Sequence, residues 1–165
     1  MNLYIVRHAI AEEPGAKSDS QRPLTEKGRE KMRKVARGLH AHGVRLSLIL
    51  TSPYTRARET AEILADEFRL TGEKMIQSVH LAPDSSPARL VEEIRAHYSR
   101  TENLALVGHE PFLSELVSVW LTGTPDLQVN FRKGGVCALT LETPQAGRRA
   151  TLEWLLTPSQ LALLG

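Results

Sequence analysis

The chain has 165 residues, 41% of them hydrophobic, with 21 basic and 19 acidic side chains and a net charge of +2. That length suits a single domain over residues 1–165 around one core, and so balanced a charge argues against nucleic acid as a partner. Cys137 is the only cysteine, which excludes an intramolecular disulfide and every multi-cysteine metal motif. Nowhere do about 18 apolar residues run together, and Arg7 interrupts the amino terminus before any run of signal length, so a soluble, cytoplasmic chain without a membrane partner is expected.

The apolar run Leu3-Tyr4-Ile5-Val6 predicts a buried strand, and it empties into Arg7-His8. In an open parallel sheet the carboxyl ends of the strands form the binding crevice, where a histidine can serve as acid, base, nucleophile or metal ligand. Between residues 25 and 42, Met32, Val35, Ala36 and Leu39 recur at helical spacing, with Thr25 as cap and Gly43 as stop. A second strand over 46–50 leads into Thr51-Ser52-Pro53. Ala57, Thr60, Ala61, Leu64 and Phe68 then mark a helix with Arg56 near its amino end, where the helix dipole favours an anion. A weaker strand is expected over 75–79, and Leu90, Val91, Ile94 and Tyr98 mark a third helix.

Leu104-Ala105-Leu106-Val107 predicts a strand that ends in Gly108-His109-Glu110-Pro111. Phe112, Leu113, Leu116, Val117 and Trp120 follow as the most apolar helix, with Pro111 in its first turn. Strands over 136–142 and 151–156, joined by a turn at 144–147, are expected to pair as an antiparallel edge. This alternation predicts an α/β fold, a three-layer α/β/α sandwich around a mainly parallel sheet with right-handed crossovers. Two histidines and at least two arginines at three strand ends suit a tetrahedral dianion, because guanidinium forks match phosphate oxygens and imidazole can attack phosphorus.

Four segments together resemble one family. Ile5-Val6-Arg7-His8-Ala9 is similar to the signature of the histidine phosphatase superfamily, Ser52-Pro53-Tyr54-Thr55-Arg56-Ala57-Arg58-Glu59-Thr60-Ala61 to its second motif, and Gly108-His109 to its third. Arg22-Pro23-Leu24-Thr25-Glu26-Lys27-Gly28 resembles the Leu-Thr-x-x-Gly start of its first helix, and Arg22-Pro23 with the short length points to the small bacterial SixA-like branch. Ala9 stands where much of the superfamily has glycine. The resemblance implies a phosphoglycerate mutase-like fold and a metal-independent phosphatase without cofactors. In it His8 would be the nucleophile, forming a phosphohistidine intermediate, and Arg7, Arg56 and His109 would hold the phosphate oxygens.

The resemblance implies a phosphorylated partner protein, such as a histidine phosphotransfer domain. A broad phosphatase of small phosphate esters and a non-catalytic phosphate-binding module are the alternatives. The oligomeric state is left open, a monomer being compatible. The proton donor of the mutase-like branch has no counterpart here. Glu110 takes the place of the acid-phosphatase branch's aspartate, and the interval 80–87 offers only Asp84. Arg22 either reaches the phosphate or orients the loop before Thr25, and Glu110 is either a donor or a helix-start carboxylate.

The remaining residues have ordinary readings. Arg58 is expected at the solvent or the substrate rim. An H-x-H pair such as His40 and His42 lies off a common helix face, which disfavours a metal site. Cys137 lacks the arginine spacing of a cysteine phosphatase loop and is expected to pack as a buried thiol. Gly134-Gly135 reads as a tight turn, and His80 and His97 carry no assigned role.

Overall fold

The first apolar run becomes an interior strand. β1 (Asn2–Arg7) lies between β4 (Asn103–Gly108), parallel to it, and β5 (Val136–Leu141), antiparallel to it. The remaining strands are β2 (Leu48–Thr51) and β3 (Met75–Gln77), both parallel to β4, and β6 (Ala150–Leu156), antiparallel to β5. The sheet order is β3-β2-β4-β1-β5-β6. The computed structural model describes residues 1–16, 18–142 and 150–165, so the turn expected at 144–147 lies outside the described residues.

Alternation along each strand sends side chains to two apolar layers. Leu3, Ile5, Leu104 and Leu106 face α3 (Pro87–Glu93) and α4 (Phe112–Thr122), in a core that includes Phe112, Leu116 and Trp120. Val6, Ile49, Ala105 and Val107 face α1 (Glu26–Ala41) and α2 (Thr55–Phe68), packing on Met32, Val35, Leu39, Ala61 and Leu64. The three-layer sandwich expected from the alternating pattern is thus present, and β5-β6 forms its antiparallel edge. Cys137 lies in the first core, and burial pushes its thiol up to about 12, which makes it an inert packing group at neutral pH.

Local chemistry sets the element ends. The Gly28 amide donates to Thr25 Oγ at 3.0 Å, capping α1, and Gly43 leaves that helix in the left-handed region at φ +86°. β2 begins later than expected, at Leu48. β3 stops at Gln77 because Ser78 turns the chain into a 3₁₀ turn over Val79–Leu81, its hydroxyl accepting from the His80 amide at 3.2 Å. The third helix loses α geometry at Ile94 and continues as a π segment to Tyr98. Pro111 is the residue just before α4 rather than its first helical residue. A short α5 (Pro158–Leu161) that the sequence pattern did not suggest packs Leu161 into the second core.

Candidate active site

β1, β2 and β4 run parallel, so their carboxyl ends share one edge of the sheet and deliver Arg7-His8, Ser52 and His109 together. The backbone fixes the junction first. The His8 amide donates to the Gly108 carbonyl at 3.0 Å, and the Arg7 amide donates to the Gly135 carbonyl at 3.1 Å. The Gly134 amide in turn donates to the carbonyls of Arg7 and His8, each at 3.1 Å. Gly134 has φ +79°, open to glycine at little cost, and a Cβ on Gly135 would lie 2.9 Å from the Arg132 carbonyl. The tight turn read at this glycine pair is present, and its amides and carbonyls clamp the end of β1.

His8 is 6% exposed, and its Nδ1 lies 2.7 Å from the Ala9 carbonyl. A carbonyl only accepts, so Nδ1 carries the proton and Nε2 keeps its lone pair. Arg56 Nε donates to that Nε2 at 3.3 Å. Ala9 is anchored in turn, its amide donating to Thr60 Oγ at 3.1 Å while that hydroxyl donates to the Arg56 carbonyl at 2.7 Å. Arg56 and Thr60 lie one turn apart on α2, so one helix positions both the tautomer-setting loop and the guanidinium that faces the ring.

His109 is 2% exposed and stands 5.1 Å from His8 between ring centroids. Its Nε2 is 2.8 Å from Ser52 Oγ, and its Nδ1 is buried without a partner among the described residues. Tyr54 packs edge-on against this ring at 5.1 Å and also lies under the Arg56 guanidinium, 5.0 Å away. Burial, opposed by the Ala9 hydrogen bond and reinforced by Arg56, Arg7 and Lys133, pushes the His8 pKa down to about 3. Burial, then His8 and Arg56, bring His109 down to about 3 as well. Both rings are therefore neutral at physiological pH.

Arg7 precedes His8 at the end of β1 and lies close enough to both rings to lower their pKa values. One of its terminal nitrogens donates to the Phe131 carbonyl at 2.5 Å, while its Nε has no partner among the described residues. Glu110, next to His109, accepts from the Ser114 amide at 3.1 Å and from the Ser114 hydroxyl at 2.5 Å. It is thus a helix-start carboxylate in its contacts. Burial raises its pKa against the pull of Ser114 and Arg7.

Three further residues belong to the site's frame and were missed in the sequence. Asp19, in a 3₁₀ turn over Asp19–Gln21, accepts from the Arg56 guanidinium through its carbonyl at 2.6 Å and its carboxylate at 3.0 Å. The others are Ser52, whose hydroxyl meets His109, and Lys133, whose charge helps to lower the His8 pKa. A lone aspartate in a polar loop carries no local signal for a contact across 37 residues. Arg22 donates to the Asp19 carboxylate at 2.9 Å and to the Glu12 carbonyl at 2.9 Å, so it holds the loop and meets Arg56 only through Asp19. Glu59 accepts from the Leu24 amide at 2.6 Å and from Arg29 at 2.8 Å, tying α2 to that loop and to α1.

The other singled-out residues lie elsewhere. Arg58 runs alongside Glu62 at 3.8 Å. His40 pairs with Glu67 at 3.0 Å, and His42 lies edge-on to Trp154. Asp84 is exposed beyond the 3₁₀ turn after β3. No helix among the described residues is long and apolar enough to cross a membrane.

Two arginines and two neutral imidazoles lie at the carboxyl edge of an α/β sheet, an arrangement whose donors match the geometry of a tetrahedral oxyanion and in which one ring nitrogen carries a lone pair. Residues 3–77 match the histidine phosphatase superfamily (branch 1). The chain is 36% identical over 141 residues to an uncharacterized protein of Picosynechococcus sp. (strain ATCC 27264 / PCC 7002 / PR-6), covering 84% of each. It is 28% identical over 169 residues to phosphohistidine phosphatase SixA of Escherichia coli (strain K12), covering 99% of this chain and 98% of that one. The solved structure of protein histidine phosphatase SixA complexed with tungstate superposes with a TM-score of 0.83 at 26% identity, over 98% of this chain and 99% of that chain. The chain belongs to the histidine phosphatase superfamily. Within it, the protein is a phosphatase similar to SixA.

Proposed function

We propose that this phosphatase removes the phosphoryl group from phosphohistidine on a partner protein, with His8 as nucleophile and a phosphohistidine on His8 as intermediate. The observation that carries the reading is the His8 ring itself: Nδ1 is committed to the Ala9 carbonyl, and Nε2 holds its lone pair beside Arg56. As substrate enters, the Arg56 Nε–H turns from Nε2 to a phosphate oxygen. Arg7, Arg56 and His109 then hold the nonbridging oxygens with donors fixed in advance.

The bookkeeping of the two steps fits this tautomer. Nε2 attacks phosphorus, the bond from phosphorus to the substrate imidazole breaks, and the departing ring takes a proton. His8 keeps the proton on Nδ1 throughout. Water then attacks the phosphorus on Nε2 and returns a proton to the base left by the first step, a neutral imidazole leaves, and inorganic phosphate departs with His8 returned to its starting state. An imidazole protonated on the ring is a good leaving group, so only a weak acid is required. Glu110 is the candidate donor, because its raised pKa favours the protonated carboxyl more than an ordinary glutamate would.

Similarity to the phosphohistidine phosphatase SixA supports the substrate class, and tungstate, bound by SixA in the superposed structure, is a tetrahedral oxyanion. Release of an aryl phosphate by wild type and by His8→Ala tests the nucleophile: wild type turns over, the variant loses at least about a thousandfold, and a denaturing quench at alkaline pH, where the phosphorus–nitrogen bond survives, traps labelled phosphate on wild type alone. Equal release removes His8 from the chemistry. Rates on a phosphohistidine protein compared with sugar phosphates and phosphoglycerate test the substrate, and preference for the sugar phosphates overturns it.

A further inference from the structure

The chain's charge is balanced overall, yet one cleft is not. A cavity of about 630 Å³ opens beside the phosphate site, walled by Arg7, Lys31, Arg132 and Lys133, with Thr157 and Ser159 at its rim and no carboxylate among its lining residues. Lys31 comes from α1, and Arg132 and Lys133 come from the turn whose Arg132 carbonyl accepts from the Gly135 amide at 2.7 Å. This turn also clamps the backbone of Arg7 and His8. The cleft and the reaction site are thus joined at two cations. Arg7 belongs to both, and Lys133 lies close enough to His8 to act on its charge. Arg132 and Lys133 are exposed and Lys31 half-exposed, and none of the three has an ion pair among the described residues.

Four cations around one concavity whose lining holds no carboxylate attract a second anion, and at a separation within the screening length of about 8 Å that attraction survives physiological salt. A single phosphoryl group in the site engages Arg7 and Arg56, leaving Lys31 and Arg132 on the far wall without a counter-charge. A substrate that lays chain along this wall satisfies them. We propose that the cleft is a specificity subsite for acidic side chains of the protein substrate, so that the phosphatase favours a phosphohistidine flanked by aspartate or glutamate. This rests on the proposed protein substrate. It adds that the surface around the phosphohistidine must be acidic on the side facing α1 and the 132–135 turn.

The test uses the full chain and two phosphohistidine peptides that differ only in having Asp and Glu or their amide counterparts beside the phosphorylated residue. The expected kcat/KM ratio is about tenfold in favour of the acidic peptide at low salt, as two or three exposed ion pairs provide, and it shrinks as salt is raised. In a Lys31→Ala/Arg132→Ala double variant the ratio falls to near one, while aryl phosphate turnover, which does not use the cleft, stays within about twofold of wild type. Equal kcat/KM for the two peptides in wild type, or a preference that persists in the double variant, overturns the subsite. If instead a small bis-anionic ester outruns both peptides and depends on Lys31 and Arg132, the cleft serves a small substrate and the proposal fails. Loss of aryl phosphate turnover by wild type itself would fault the parent reading, separately from the cleft.

Discussion

Acid should destabilise this protein through two particular rings. His8 and His109 are 6% and 2% exposed, and their pKa values sit at about 3 against an ordinary 6.5. A folded state that binds fewer protons than the unfolded state gains stability as pH rises. Here that contribution is fully present above pH 6.5 and is lost as pH falls from 6.5 toward 3. At about pH 5 the unfolded ring is protonated across 1.5 pH units that the folded ring is not, which at about 1.36 kcal/mol per unit amounts to about 2 kcal/mol for each histidine. The pair together lose less than about 4 kcal/mol, because part of the His109 shift comes from His8 itself.

Urea unfolding at about pH 7.5 and about pH 5 measures the loss in wild type, His8→Asn and His109→Gln. The asparagine amide can still reach the Ala9 carbonyl and the glutamine can still reach Ser52, so neither variant need collapse the site. Other acid-sensitive groups, Asp19 among them, contribute to all three proteins alike and cancel in the comparison. Each single variant should lose about 2 kcal/mol less than wild type between the two pH values. Identical losses in all three would show that the buried rings are not the acid-sensitive element, and the neutral-imidazole reasoning would fall with them.

Arg56→Lys should lower kcat/KM for an aryl phosphate at least about a hundredfold, since an ammonium cannot keep the two-sided fork that now spans His8 and Asp19; steady-state kinetics within threefold of wild type would refute the assignment. Glu110→Gln should slow ester hydrolysis more than phosphohistidine hydrolysis, because an alkoxide needs the proton more than an imidazole does. Equal slowing of both substrates marks Glu110 as the Ser114-bonded start of α4 only. Gly135→Ala brings a Cβ within 2.9 Å of the Arg132 carbonyl and 3.3 Å of the Leu156 carbonyl. The turn must shift, so activity should fall about tenfold with a stability loss of about 1–3 kcal/mol by thermal denaturation, whereas unchanged activity would show that the turn does not position His8.

Local pattern was enough to locate the carboxyl ends of β1 and β4. An apolar run four residues long that stops at Arg7-His8, and another that stops at Gly108-His109, announce where chemistry sits because a parallel sheet buries its strands and frees only their tips. Thr25 and Gly43 likewise bound α1 by chemistry confined to a single helix end. α5 escaped notice because four residues cannot show a helical period.

What only the tertiary structure decided is which residues act on each other across the chain. The order β3-β2-β4-β1-β5-β6 places β4 between β1 and β2, and no local spacing encodes that neighbour. Asp19 on Arg56, Ser52 on His109, Thr60 on the Ala9 amide and the Gly134-Gly135 clamp on Arg7 and His8 all follow from it. The division has a physical cause: solvent affinity and backbone preference act residue by residue and leave their mark in the sequence, whereas hydrogen bonds between distant side chains exist only once packing has brought their partners within about 3 Å.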